Sequence, residues 1–248
     1  PIDPFSENFS ALVFKIQANM DPAHRDRLAF IRICSGRFVK GMEARLIQQK
    51  KTVKLTQPQQ FMAQERETVE EAVAGDIIGL FDPGIYHLGD TLAAGNASFR
   101  YEGIPMFAPE YFARVAPVDS LKRKQFVKGI NQLAEEGAIQ TFRRLDIGLE
   151  EHIVGVVGVL QFDVLKFRLE REYGANVQME RLPFRFVRWV KNEGLKPESL
   201  SLVSTTRPAA DEDGRLVLLF ENEWSIQWAL EHNTGLELSD TAPRTMKE

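Results

Sequence analysis

The chain has 248 residues, 44% of them hydrophobic and 27% charged, with a formal net charge of −4. That length is generous for one core and comfortable for two domains. The charge balance excludes a histone-like polyanion binder, while local basic patches stay open. No apolar run reaches the ~20 residues that a membrane helix needs. The opening PIDPFSENFS has neither the basic nor the apolar region of a secretion signal. A single cysteine, Cys34, rules out a disulfide framework within the chain and fits a reducing, cytoplasmic setting with no membrane partner. The same opening, with two prolines and no methionine, reads as a linker cut from a longer protein.

The first hundred residues predict short strands. ALVFKIQA (Ala11 to Ala18) alternates, placing Leu12, Phe14 and Ile16 on one face and Lys15 and Gln17 on the other. LAFIRIC (Leu28 to Cys34) is a second strand, stopped by the turn Ser35-Gly36, and Cys34 within it is expected to be a buried structural thiol. MEARLIQ, TVKL, QQFMA and DIIGLF follow, separated by Gln-Pro, charged and Gly-Asp punctuation. Many short strands with almost no helical period predict a small antiparallel β-barrel over residues 1–105.

FRYEGIPMFAPE then reads as an extended connector, and residues 106–248 predict an α+β domain. YFARVAPV is a strand. A helix starts at an Asp119 or Ser120 cap, with Phe126, Ile130 and Leu133 forming its stripe, Val127 and Ala134 widening it, and Gly137 stopping it. AIQTFRR and HIVGVV are strands, Val159 to Tyr173 a helix closed by Gly174, and ANVQMERL a strand. Strand-helix-strand-strand-helix-strand over residues 111–182 is the ferredoxin-like order. Residues 183–248 predict an α/β extension packed beside it as a second unit: RFVRWV a strand, residues 192–206 a loop or short helix, LVLLF a buried strand, NEWSIQWALEHN a helix and LELSD a last strand.

GVVGVLQFDV (Gly155 to Val164) raises the question of a phosphate cradle, since a glycine turn into a helix can bind one. The spacing fits neither a Walker loop nor a dinucleotide fingerprint. Leu160, Val164 and Phe167 form one apolar row of the helix, and Phe162, Leu165 and Leu169 another. Together they predict a wide buried face in which Gly155 allows a close backbone approach and Gly158 the turn. His24, His87, His152 and His232 lack metal-like spacing, and adjacent pairs such as Glu70-Glu71 do not converge as an acid/base dyad. No catalytic, cofactor-binding or metal constellation emerges, so the chain is expected not to be an enzyme by itself.

Three basic stretches remain. DPAHRDRLAFIR carries Arg25, Arg27 and Arg32 beside His24; it is either a solvated barrel loop or a contact to backbone phosphate. LKRKQFVK places Lys122, Arg123 and Lys124 at a helix start, with Lys128 one turn on, opposing the helix dipole. RLPFRFVRWVK interleaves Arg185, Arg188 and Lys191 with Phe184, Phe186 and Trp189, which strand alternation explains as well as base stacking does.

FKIQANMDPAHRDRLAFIRICSGRFVKGM, with Phe30-Ile31-Arg32-Ile33-Cys34-Ser35-Gly36 at its centre, resembles the second domain of translational GTPases, as do VAGDIIGL and LGDTL. EGIPMFAPEYF, LAEEGAIQTFR, IVGVVGVLQFDVLKFRLEREY and LVLLFENEWSIQWALEHN are similar to the bacterial class II release factors, the peptide chain release factor 3 group. The resemblance implies a translation-factor domain 2 barrel followed by a ferredoxin-like domain. It also implies a parent GTPase of translation termination that docks on the ribosome and recycles class I release factors, with small-subunit ribosomal RNA and protein as partners. GTP and its Mg²⁺ would then sit in an N-terminal GTP-binding domain, itself a partner of this chain, which here holds no cofactor. On charge and loop placement, not on a family motif, Arg25, Arg27 and Lys40 are the barrel's candidate contacts, and Lys122, Arg123 and Lys124 those of the second domain. An elongation-factor or ribosome-protection type of translational GTPase is the neighbouring reading, against which EGAIQTFR and GVLQFDV speak. An independent RNA-binding module and an enzyme using Glu or Arg in a cleft are the readings of other classes.

Overall fold

The computed structural model describes residues 2–18, 27–56, 58–62, 65–102, 106–145 and 151–242. The chain forms two compact units, whose main division falls between residues 105 and 106, with residues 135–137 grouped with the first. The first contains strands β1 (Ser10–Ala18), β2 (Arg27–Ser35), β3 (Arg37–Val39), β4 (Glu43–Leu46) and β5 (Lys51–Lys54), then β6 (Gln59–Met62), β7 (Glu65–Thr68), β8 (Glu71–Val73), β9 (Ile77–Phe81) and β10 (Thr91–Ala93). An antiparallel ladder runs β5-β4-β10-β1-β2-β9-β6-β7, and β3 and β8 pair as a separate ribbon. The strands wrap one core that includes Val13, Ile16, Ile31, Ile33, Phe38, Leu46, Leu55, Ile78, Leu80 and Leu92.

The predicted phase of β1 holds for only part of the strand. Its pairing with β2 shifts register between Val13 and Lys15. Ala11 and Val13 are therefore buried before the shift and Ile16 and Ala18 after it, while Leu12 and Phe14 are half-exposed. A bulge adds one residue and exchanges the two faces, which a strict period of two cannot anticipate. The same period explains Cys34. In β2 the odd positions Ala29, Ile31, Ile33 and Ser35 point into the core, so Cys34 lies half-exposed in the outward row and is not the buried thiol expected.

The second unit begins with the ferredoxin-like order: β11 (Tyr111–Pro117), α1 (Arg123–Glu135), β12 (Gln140–Arg144), β13 (His152–Val156), α2 (Gln161–Tyr173) and β14 (Val177–Leu182). The strands lie β14-β11-β13-β12, all antiparallel, and both helices cover one face. Asp119 caps a single 3-10 turn, Ser120–Lys122, that leads into α1. Gly129 of α1 lies at the crossing of the two helices, where a Cβ would sit 2.6 Å from Leu169 Cδ2 and 2.9 Å from Tyr173 Cγ.

The extension comprises β15 (Phe186–Val190), β16 (Arg207–Ala210), β17 (Leu216–Phe220), α3 (Glu223–His232) and β18 (Leu238–Ser239). It is not a second unit packed beside the first, as the sequence predicts. β16 pairs with the otherwise open edge of β12, Arg143 opposite Ala210 and Arg144 opposite Ala209, so one sheet runs β14-β11-β13-β12-β16-β17-β15-β18. An edge strand offers a row of unpaired amides and carbonyls, and the extension takes them up. LVLLF of β17 is buried on both sides: Val217 and Leu219 join Phe112, Phe142 and Trp189, while Leu218 and Phe220 lie under Ile226 and Ala229 of α3. Of residues 192–206, Pro197–Ser199 form a 3-10 turn.

Gly155 faces Pro109 and Phe142 so closely that a Cβ would meet them at 2.8 and 2.9 Å, as a close approach requires. Gly158 differs from the expectation. A Cβ there would meet nothing nearer than Gln161 Oε1 at 4.0 Å, and its φ is not positive. We expect Gly155→Ala to lower stability by about 1–3 kcal/mol through overpacking and Gly158→Ala to change it by less than about 0.5 kcal/mol. Urea denaturation of the two variants against the parent chain measures both.

Candidate functional site

The loop that follows β9 is organised by one carboxylate. Asp82 is fully buried, and its Oδ1 accepts the amides of Gly84 and Ile85 at 2.8 Å and of Tyr86 at 3.3 Å. Its Oδ2 accepts Arg27 Nε at 2.6 Å. Burial, together with the charges of Asp82 and Asp90, pushes the Tyr86 hydroxyl up to about 12, so it stays protonated. Asp90 repeats the device: its Oδ2 accepts the His87 amide and Gln49 Nε2, both at 2.9 Å.

This places Arg27 differently from a loop cation. Its side chain is only 12% exposed, and Nη2 also reaches Tyr86 O at 3.3 Å, so the guanidinium serves as a strut inside the barrel. Arg25 lies outside the described residues. Lys40 follows β3 on the surface, its Nζ 2.7 Å from Glu70 Oε1. Arg27 opens β2 and Lys40 lies past its other end, a separation of roughly nine strand residues at about 3.3 Å each. The structure therefore does not bring the two together. Glu71 pairs instead with Arg37, so the carboxylates of Glu70 and Glu71 serve two different cations.

In the second unit the predicted cations do come together. Lys122, Arg123 and Lys124 are all exposed within one turn, and Lys128 is exposed one turn further along α1. Asp119 Oδ1 accepts the Leu121 amide at 2.8 Å, which offsets part of the opposition between this basic turn and the helix dipole. The RLPFRFVRWVK stretch is not a stacking platform, since Phe184 and Trp189 are buried. The Trp189 indole donates to Asp211 Oδ2 at 2.9 Å, and Arg188 lies over the Phe186 ring.

The turn at the start of α2 bears on nucleotide binding. Gln161 Oε1 accepts the amides of both Val157 and Gly158 at 2.9 Å, and the amides of Gln161, Phe162 and Asp163 bond back to Gly158, Val159 and Leu160. Amides already satisfied in this way do not fit a phosphate group. Of the two apolar rows of α2, Phe162, Leu165 and Leu169 are buried, whereas Leu160, Val164 and Phe167 are 73%, 55% and 60% exposed. The wide buried face is thus corrected to a single buried row, because a helix lying on a sheet covers only one of its sides. A cleft of about 190 Å³ in this unit gathers Arg114, Arg144, Arg207, Glu151 and Glu221. Glu151 ion-pairs with both Arg114 and Arg144, at 3.2 Å for the latter. Among the described residues no group of three His, Cys, Asp or Glu side chains could hold a metal ion.

Ser35 and Gly36, at the end of the stretch that resembles domain 2 of translational GTPases, have structural roles. Ser35 Oγ lies 2.5 Å from Ser10 Oγ and donates to Asn8 O at 2.8 Å, and Ser10 Oγ meets the Tyr101 hydroxyl at 2.7 Å. Gly36, at φ +69°, leaves no room for a Cβ, which would fall 2.6 Å from the backbone of Asn8 and Phe9. Residues 8–95 match the family described as elongation factor G domain 2. Residues 101–230 match the family described as class II release factor RF3, C-terminal domain. The chain belongs to the class II release factor family.

Curated relatives agree. Peptide chain release factor 3 of Symbiobacterium thermophilum is 52% identical over 241 residues, 97% of this chain and 45% of that protein. The proteins of the same name from Streptococcus uberis and Acaryochloris marina are 47% and 46% identical, over 96% and 98% of this chain. The chain spans less than half the length of these relatives, 44–46%. A crystal structure of a Thermus thermophilus protein shares the fold, with a TM-score of 0.59 at 21% identity over 82% of this chain and 30% of that one. No helix among the described residues is long and apolar enough to cross a membrane.

Within this release-factor chain the Asp82–Arg27 pair is open to direct test. Removing one partner of a buried pair leaves the other uncompensated. We expect Asp82→Ala to lower stability by about 3–5 kcal/mol, since three amides also lose their acceptor. Arg27→Ala should cost less, and the double variant less than the sum of the two. Chemical denaturation followed by circular dichroism measures this cycle.

Proposed function

We propose that this chain is the ribosome-docking part of a class II release factor that, in the cytoplasm, recycles class I release factors during translation termination. The observation that carries the reading is the match to peptide chain release factor 3 at 52% identity across 97% of the chain, through both units. GTP and its Mg²⁺ bind, in this reading, to a part of the factor outside the matched region. The satisfied turn at the start of α2 supports that assignment, because it leaves the glycine-bearing stretch no phosphate to hold. The barrel match alone would equally suit an elongation factor; the release-factor match over residues 101–230 favours termination.

The surface partner is ribosomal RNA of the small subunit and the protein beside it, and Lys122, Arg123 and Lys124 are the cations best exposed for phosphate. Lys40 is a secondary candidate that would have to exchange its pairing with Glu70. Arg27 acts instead by holding the barrel loop, and Arg25 stays a candidate on charge alone. Joined to the GTP-binding domain of a relative, the chain should restore ribosome-stimulated GTP hydrolysis and release of the class I factor. Alone, it should bind no guanine nucleotide by calorimetry, and micromolar binding of GDP would overturn the division of labour.

Cosedimentation with ribosomes should weaken steeply with salt. Each cation withdrawn from a phosphate should reduce the slope of log K against log salt by about 0.7–0.9. Replacing Lys122, Arg123 and Lys124 together with glutamine should therefore flatten the slope by about 2. An unchanged slope would remove these three residues from the interface.

A further inference from the structure

The third helix carries an exposed surface that is separate from the basic turn of α1. Helix α3 buries Ser225, Ile226 and Ala229 against the sheet and is capped by Asn222, whose side chain accepts the Ser225 amide at 2.9 Å. Its outer side presents Trp224, 64% exposed, with Trp228 one turn further on. The Trp228 ring is stacked on His232, centroids 3.9 Å apart and planes 9° apart, and Trp228 O lies 2.8 Å from His232 Nδ1. Spacing of four residues puts Trp224, Trp228 and His232 along one ridge, and Glu231, seven residues after Trp224, lies beside it.

Charge on this ridge has one sign. Helix α3 carries the acids Glu223 and Glu231 and neither lysine nor arginine, its one basic group being His232, which is taken up by stacking on Trp228. Among the described residues neither Glu223 nor Glu231 pairs with a cation. Glu223 is favourable in the first turn of the helix, but Glu231 is an anion in the last turn, where the helix dipole disfavours one. An exposed indole is the best cation–π acceptor among the side chains. Carboxylates beside it raise the local concentration of cations and repel phosphate.

We propose that the outer face of α3 is a docking surface for an arginine- or lysine-rich protein segment. The segment lays a guanidinium or ammonium on the Trp224 ring and pairs others with Glu223 and Glu231. Arginine is the better fit, because its planar group stacks on the indole while keeping its in-plane donors for a carboxylate. The acidic rim sets the partner as protein and not nucleic acid, the reverse of the basic turn of α1.

The test uses the whole chain and a dye-labelled, end-capped peptide of alternating arginine and glycine, with binding read by fluorescence anisotropy at low salt. The parent should bind it. Trp224→Ala, an exposed change that keeps the fold, should weaken binding by about threefold to fivefold. Glu223→Gln with Glu231→Gln should weaken it further and flatten its salt dependence, whereas Glu43→Gln on the barrel should leave it unchanged. The proposal falls if the parent does not bind, or if Trp224→Ala binds as tightly as the parent. It falls also if a labelled single-stranded oligonucleotide binds better than the peptide and loses that affinity in Trp224→Ala.

Discussion

A buried amide with no acceptor costs about 1–3 kcal/mol, and much of this chain is arranged around supplying acceptors. Asp82 collects three amides and a guanidinium with one side chain. Gln161 collects two amides at the head of α2, and Ser35 and Ser10 tie the start of β1 to the end of β2. At the scale of strands, the edge of β12 finds its partners in β16. Residues that look like chemistry in the sequence, an acid beside an arginine or a glycine turn before a helix, are largely used up by this constraint. What is left on the surface therefore stands out.

Charge distribution follows from the same economy. In the barrel, Arg27, Arg37 and Lys40 each have a carboxylate partner within 2.8 Å. In the second unit, the start of α1 gathers three cations in one exposed turn, and α3 carries Glu223 and Glu231 and neither lysine nor arginine. A net charge of −4 conceals this separation, because long-range attraction depends on local fields and not on the sum. Both helices also place a charge against their own dipole, the cations of α1 at its N-terminal turn and Glu231 of α3 at its C-terminal turn.

The fold was legible wherever the hydrophobic period ran unbroken. Phe126, Ile130 and Leu133 marked α1, and their burial agrees. LVLLF could be read as a strand covered on both faces. The failures have local causes. A bulge after Val13 changed the inward set of β1. Residues 207–210, too short to show a period and containing Pro208, gave no strand signal for β16. The proline is tolerated there because only Arg143 and Arg144 of β12 pair with the strand, opposite Ala210 and Ala209. The outer row of α2 looked like core because composition alone cannot say which side of a helix the sheet will cover. In the candidate site, the exposed turn of Lys122 to Lys124 was readable from the cap at Asp119. The burial of Arg27 was not, since its partner Asp82 is distant in sequence and no local pattern links the two.

The two family matches divide the chain much as its physics does. The barrel matches a model drawn from elongation factor G, and its motif residues, Ser35 and Gly36, are explained by packing alone. A shared barrel of that kind cannot by itself distinguish one translation factor from another. The second unit matches the class II family by itself, and the identity to release factors runs through both units. The second unit keeps its functional freedom on the outside. Its sheet is continuous and its cores are closed, but the basic turn of α1, the apolar outer row of α2 and the tryptophan ridge of α3 all face away from them. These three surfaces differ in chemistry and are carried by one continuous sheet. A change to any of them need not disturb the packing beneath.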